Sequence, residues 1–497
     1  MKMHFVFRFV LHSLSSFSSV INSSRLLSEF NIPNKKFWNI HNNYWAHHIF
    51  NVIGNLVNSR GRRGKTSMFQ DNLEIFIKEK FKGLSDFSFL EMNEYKIFFI
   101  SSLVKKEDVN KYVIEHLLEE NSNQVVKFPV TNIEKDSSSE KAQEKILRGN
   151  IIVSKKNEPF FLSISLPSDV GRSIESSDQE FSLYTSLESF TEQLELNLTL
   201  VRRYLPTAEL KSEIFEVGKI SKSKIALLQI EGSVNKDEIE FMKEKIKNVD
   251  EKLIINSAFL GRRLENSPFS SFPQFQVSDR PDLISLALTS GKIVIIIDQN
   301  PFALIGPVSF LDFFESTEDY IYIARTAFLI RILRLTGYIL SIMLVPLYVA
   351  VTTHEYEALP LELLFIIIES RSDVPFTPFW ESVLMLLTLE ILKEASKRMP
   401  AKTGNTLGVV GGIIIGDAAI QAGIASNVLV VIIGITAVSS FVTPNYLMGV
   451  SSKILRLLFL LLSFQFGLYG VIIGFCFLII HLNSIYSMNK PYLMADS

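Results

Sequence analysis

The stretch VPFTPFWESVLMLLTLEILKEA, residues 374–395, decides how the chain is read. Most of it suits lipid, yet it carries Glu381, Glu390 and Glu394, and the basic residues Lys393, Lys397, Arg398 and Lys402 gather toward its far end. Beyond it the charges thin out. From Thr403 to Ser497 the only Asp, Glu, Lys or Arg residues are Asp417, Lys453, Arg456, Lys490 and Asp496. A soluble surface is normally about a quarter to a third charged, so this region is read as membrane-embedded. The preceding part, with acidic and basic residues interspersed, is read as soluble. The averages of 47% hydrophobic and 21% charged residues conceal that split, and a net charge of −2 gives no argument for a nucleic-acid partner.

A helical membrane domain with four to six segments is expected over residues 321–483, followed by a short tail, 484–497. Arg325, Arg331 and Arg334 precede LTGYILSIMLVPLYVAVTT (335–353), which is about long enough to cross a bilayer and contains a kinking Pro346. LPLELLFIII is too short to cross. After the opening stretch come 405–424, 427–446 and 454–482. The loop with Glu355, Glu357, Glu362 and Asp373 is acidic, whereas the basic residues near 325–334, 393–402 and 453–456 alternate with it. The positive-inside rule then places the soluble part in the cytoplasm.

Residues 72–320 predict an α/β or α+β region of two subdomains, because strand-like and helix-like patterns alternate. EYKIFFISSLV, KIALLQIEG, KLIINSAFL and KIVIIIDQNP read as strands, with a hairpin near 150–167. KKEDVNKYVIEHLLEE reads as a helix with Val109, Val113, Leu117 and Leu118 on one face, and SFTEQLELNLTLVRRYL and DEIEFMKEKIKNV as further helices. Residues 131–147 read as a charged linker or exposed helix.

Residues 1–71 form an unassigned extension. Its signal-like start is interrupted by His12 and a serine-rich run, and a translation start at Met68 is expected. GRRGKTS (61–67) is not a phosphate loop, since Ser59 stands where that motif needs glycine. His41, His47 and His48 have no acidic or cysteine company at ligand spacing and read as exposed. The single cysteine, Cys476, reads as a packing residue. With no cysteine–histidine pair, HExxH or nucleophile elbow, neither an enzyme nor a cofactor is expected.

Several segments together point to a family. SRSDVPFTPFWESVLMLLTLEILKEASKRMP, TGNTLGVVGGIIIGDAAIQAGIASN and ITAVSSFVTPNY resemble the A subunits of the GerA-type spore germinant receptors. Upstream, RSIESS (172–177), NLTLVRRYL, VSDRPDLISLALTSGKIVIIIDQNPFALIGP and FFESTEDYI fall in that family's order. The resemblance covers roughly residues 94–490 and is strongest from Arg280 onward. It implies a cytoplasmic domain on a helical membrane domain in the spore inner membrane. It also implies a transporter-like B subunit that binds the nutrient, a lipoprotein C subunit, and an A subunit that oligomerises around an ion path. One departure stands out: Thr185, Ser186 and Leu187 replace the family's Gly-Pro-basic turn. Residues 1–67 match nothing in it.

Candidate residues follow. Gly408, Gly412 and Gly416 recur every fourth residue, a face for close helix packing. Thr406, Asp417 and Gln421 lie on roughly the opposite side. A carboxylate at a bilayer centre costs about 2.5–3.5 kcal/mol and so faces a water path or a partner. This face is a candidate pore lining, with Val410 and Ile413 as an apolar constriction. The alternative puts Asp417 at the segment's end, among headgroups. Glu381, with no basic neighbour at helical spacing, is a second ion-path candidate. Glu390, Glu394 and Arg398, spaced i, i+4, i+8, read as a cytoplasmic-end charge ladder. The leading reading is a receptor-channel A subunit that releases monovalent cations. The alternatives are an accessory A-like channel subunit and a non-conducting scaffold that clusters receptors.

Overall fold

The strand patterns resolve into two five-stranded sheets, and every pairing in both is antiparallel, which is the α+β alternative. The computed structural model describes residues 72–118, 133–156, 158–166, 188–398, 411–412 and 414–493. All of these belong to one compact unit, Lys65–Ser497.

The first sheet has the order β1-β2-β4-β5-β3, from Phe87–Met92 (β1), Tyr95–Ile100 (β2), Ile133–Asp136 (β3), Asn150–Lys155 (β4) and Phe161–Ser165 (β5). Its core is filled by helix α1 (residues 72–80) through Leu73 and Ile77, and by α2 (residues 106–118, with a π turn at Asn110–Ile114). Val109, Val113 and Leu117 of α2 are buried as expected, but Leu118, past the end of that stripe, is exposed. Residues 133–147 are no linker. They form edge strand β3 and helix α3 (Ser139–Leu147), which buries Ala142 and Ile146 one turn apart.

The second sheet has the order β6-β7-β9-β10-β8, from Leu210–Val217 (β6), Ser223–Ile230 (β7), Gln276–Ser278 (β8), Ile293–Ile297 (β9) and Ala303–Gly306 (β10). β9 is buried throughout because helices cover both faces. Val294 and Ile296 pack with α4 (Leu194–Tyr204) and α7 (Pro281–Thr289), while Ile293, Ile295 and Ile297 pack with α5 (Lys236–Lys247) and α6 (Ser257–Leu264). KLIINSAFL is therefore not a strand. Asn256 caps a helix there, its side chain accepting from Phe259 N–H at 2.8 Å.

One buried ion pair joins the two sheets' domains. Asp86 takes a two-pronged contact from Arg202 (Nε at 2.7 Å, Nη2 at 2.6 Å) and a hydroxyl from Ser102 at 2.6 Å.

The remaining chain is helical: α8 (Ala324–Thr353), α9 (Leu361–Ser370), α10 (Pro378–Lys397), α11 (helical at 411–412 and 414–421), α12 (Asn427–Phe441) and α13 (Tyr446–Ser484). Among the described residues, α8 and α13 are long and apolar enough to cross a membrane. α8 runs on through Pro346.

α13 is folded. Gly467 takes φ +60°, ψ −140°, a conformation reserved for glycine, and breaks the helix. A Cβ on Gly474 would lie 2.9 Å from the Phe459 ring. In a straight helix those residues would stand about 22 Å apart. α13 is thus an antiparallel hairpin, α13a before Gly467 and α13b after it. Both ends return to the second domain: Ser451 Oγ donates to Ser271 O, and His481 Nε2 lies 3.1 Å from Ser270 Oγ.

Candidate functional site

Polar groups among these apolar helices gather at two ends. At the end remote from the sheets, Glu381 on the first turn of α10 is wholly buried. Its Oε1 accepts Ser426 N–H, the entry to α12, at 2.7 Å. Its Oε2 lies 3.5 Å from Arg371 Nε, and neither atom has a hydrogen-bond partner among the described residues. The expectation that Glu381 lacks a basic neighbour thus holds only for helical spacing, because Arg371 comes from the loop ten residues upstream. Tyr348 of α8 completes the group, its OH 3.4 Å from Ser426 Oγ. The clasp ties α8, α10 and α12. Nearby, Glu355 accepts Leu468 N–H at 3.2 Å, capping α13b just past Gly467.

At the end near the sheets, the expected ladder is half present. Glu394 and Arg398 pair at 3.0 Å, but Glu390 turns across to α13, 2.5 Å from Lys453 and 3.7 Å from Arg456. Glu390, itself half-buried, faces α13, where half-buried Lys453 and buried Arg456 meet it, whereas Arg398 is exposed.

Asp417 and Gln421 meet on α11: Gln421 Nε2 donates to Asp417 Oδ2 at 2.8 Å, and both are exposed. Gly412 faces Leu392 of α10 and Gly416 faces Val430 of α12. Thr406, Gly408, Val410 and Ile413 lie outside the described residues, as do the turn at Thr185–Leu187, RSIESS, GRRGKTS and His41, His47 and His48.

A third group couples the second domain to α8. The Asp319 carboxylate is wholly buried and receives Arg334 Nη1 at 2.8 Å, Arg331 Nε at 3.1 Å and Ser316 N–H at 3.1 Å. Arg331 also reaches Glu315 at 2.6 Å, whose carboxyl burial pushes above its ordinary range. Beside them an aromatic cluster of Phe272, Phe310, Phe314, Tyr338 and Tyr492 seals the joint. The chain's end is stitched into it: Tyr492 OH donates to Pro273 O at 2.8 Å, and Phe310 N–H to Tyr492 O at 2.7 Å. A cavity of about 630 Å³ opens at this joint, and its charges are matched across it, Lys292 with Asp312 and Arg331 with Glu315.

A family described as Bacillus/Clostridium GerA spore germination protein matches residues 75–495. The chain belongs to the GerA family. Spore germination protein GerQA of Bacillus cereus is 33% identical over 85% of this chain and 86% of its own length. The uncharacterized membrane protein YfkQ of Bacillus subtilis (strain 168) is 30% identical, over 81% of this chain and 80% of its own. Among solved structures, the N-terminal domain of the A subunit of the Bacillus megaterium spore germinant receptor GerK3 matches with a TM-score of 0.36 and 21% identity, covering 48% of this chain and 95% of that one.

The stretches that carried the GerA resemblance hold these polar groups. SRSDVPFTPFWES contains both Arg371 and Glu381, FFESTEDYI contains Asp319, and NLTLVRRYL contains Arg202. Sequence reasoning missed Arg371 although a signal existed: it is the only Lys or Arg between Leu335 and Leu392. For Glu355 and Tyr492 no local signal existed, since their partners are remote in sequence.

Proposed function

We propose that this GerA-family chain is the A subunit of a nutrient germinant receptor, an oligomeric multi-pass protein of the spore inner membrane with its N-terminal domains in the cytoplasm. In this reading it works with a transporter-like B subunit and a lipoprotein C subunit, and releases monovalent cations when nutrient is sensed. Basic residues cluster where the helices meet the sheets, while Glu355, Glu357, Glu362 and Asp373 sit at the other end, which supports that orientation. α8, α10, α11, α12 and the two arms of α13 then make six passes, with the C-terminus on the cytoplasmic side.

The observation that carries the proposal is the grip of the second domain on the helices. It holds the start of α8 through Asp319 and both ends of α13 through Ser271, Ser270 and Tyr492. A domain so attached passes its own displacement to the helices. The Asp417–Gln421 pair is exposed on a single chain, as a lining shared between copies would be, and carboxylates in such a ring favour cations. Glu381, buried and bonded, acts in this reading by holding the far ends of three helices together.

Planar-bilayer recording of the purified chain with its B and C partners tests this. Cation-selective currents are expected, with Asp417→Ala lowering selectivity several-fold and Glu381→Ala altering opening while selectivity stays. A wild-type complex that assembles and never conducts contradicts the channel reading and leaves the scaffold.

A further inference from the structure

The end of the helix bundle nearest the sheets holds more positive charge than its carboxylates neutralise. Lys393 and Lys397 stand one turn apart on α10 with hydroxyls and rings for partners. Lys393 Nζ donates to Ser440 Oγ at 2.7 Å and lies 4.8 Å from the Phe441 ring centre. Lys397 Nζ donates to Tyr446 OH at 3.0 Å and lies 4.7 Å from that ring's centre. Behind them Lys453 and Arg456 share the one carboxylate of Glu390. Arg456 is only 3% exposed. Its Nε donates to Ser341 O at 2.6 Å, and its Nη2 has no hydrogen-bond partner among the described residues. Lys393 is within electrostatic reach of Glu390, Arg456, Lys453 and Lys397 together.

Among the described residues of α10 and α13, Glu390 is the one acid paired with this group. Glu394 is taken by Arg398, and residues 399–410 contain Lys402 but no Asp or Glu. Crowded like charges beside low-dielectric surroundings are unfavourable unless an anion joins them.

We propose that this cluster seats the phosphodiester of an anionic phospholipid, of the phosphatidylglycerol type, at the cytoplasmic face. The inference rests on the membrane reading above. A lipid, rather than free phosphate, suits the surroundings: Val431, Val438 and Phe441 run along α12 with 62%, 68% and 73% exposure, and Phe441 touches Lys393, so acyl chains have a track leading away from the amines. Amines held over aromatic faces and hydroxyls are pre-positioned for charge-assisted bonds to phosphate oxygens. Basic pockets between helices at the cytoplasmic leaflet bind such headgroups.

The test uses the full chain in neutral detergent. Native mass spectrometry counts retained lipid, and the thermal midpoint is followed as phosphatidylglycerol, phosphatidylcholine or inorganic phosphate is added. Phosphatidylglycerol is expected to stay bound and raise the midpoint, with phosphatidylcholine inactive. Lys393→Gln with Lys397→Gln should weaken phosphatidylglycerol binding by roughly thirtyfold. The Lys393→Arg, Lys397→Arg version should retain it, which guards against misfolding as the cause. Lys219→Gln, at an exposed pair on the second sheet's domain, should change nothing. Equal retention of both lipids, or full binding by the glutamine variant, overturns the proposal. If inorganic phosphate alone reproduces the shift, the lipid assignment falls. A chain that stays in solution without detergent overturns the membrane reading instead.

Discussion

Two buried carboxylates hold this molecule together in different ways. Asp86, between the two sheets' domains, spends both oxygens: Arg202 grips it with two nitrogens, and Ser102 and Ser212 add hydroxyls at 2.6 and 3.2 Å. Glu381, among the helices, has one good bond to Ser426 N–H, and its other oxygen faces Arg371 at 3.5 Å without a hydrogen bond. A buried pair is favourable only when its geometry is close and its remaining valences are filled. Asp86 meets that condition with both of its own oxygens, leaving only Arg202 Nη1 without a hydrogen-bond partner among the described residues, and Glu381 meets half of it. The first is a fixed joint. The second is a clasp with slack, the kind of contact that a conformational change can open.

The comparison predicts a graded response. Arg202→Met, which strands Asp86, should have the largest effect, about 3–5 kcal/mol, read as a lowered thermal midpoint of the full chain. Adding Asp86→Asn should recover much of the loss. Burial pushes the Asp86 carboxyl up, but the Arg202 charge and hydrogen bonds, with Ser102, outweigh it and hold it below its ordinary value. The stability it contributes is therefore complete above the unfolded value of about 3.9 and drains as pH falls through the lower folded value. An acid titration should find the wild-type joint intact at pH 4.5, and the Arg202→Met protein less destabilised there than at neutral pH, because protonating the stranded Asp86 relieves the burial of its charge.

Glu381→Ala should cost less, about 2–3 kcal/mol, since fewer bonds are lost. If it proves as damaging as Arg202→Met, the clasp has no slack and the contrast fails. Gly467→Ala comes next, about 1–3 kcal/mol from the strained backbone, with a steric part because its Cβ would meet the Glu355 carboxylate. Glu355→Ala should relieve only that steric part. Smallest is Glu394→Gln, which breaks an exposed pair with Arg398 and should shift stability by about 0.3–0.5 kcal/mol.

Much of this layout can be read from residue patterns, and its limits have physical causes. The strand–helix alternation of 72–320 places β7, β9, α4 and α5 correctly, because each buries its apolar positions at its own period. Antiparallel pairing is invisible at that level, since a strand covered on both faces looks alike in either direction. KLIINSAFL misleads because its apolar run precedes the Asn256 cap instead of ending a strand. The hairpin at Gly467 hides in one glycine within a continuous apolar run. The spacing of Glu390, Glu394 and Arg398 finds the local pair and misses Lys453 and Arg456, which reach Glu390 from another helix. Helical spacing reveals neighbours on one helix and is silent about those across a bundle.

The central claim is that α13 is a hairpin hung by both ends from the second domain, with its turn at the opposite end. Cysteine labelling with a membrane-impermeant reagent, in sealed vesicles and a Cys476→Ser background, tests it most directly. Cysteines at Lys219, in the second domain, and at Leu493, beside the buried Tyr492, should label from the same side, and one at Tyr356, near the capping Glu355, only from the other. A Leu493→Cys protein that labels from the Tyr356 side would contradict the account.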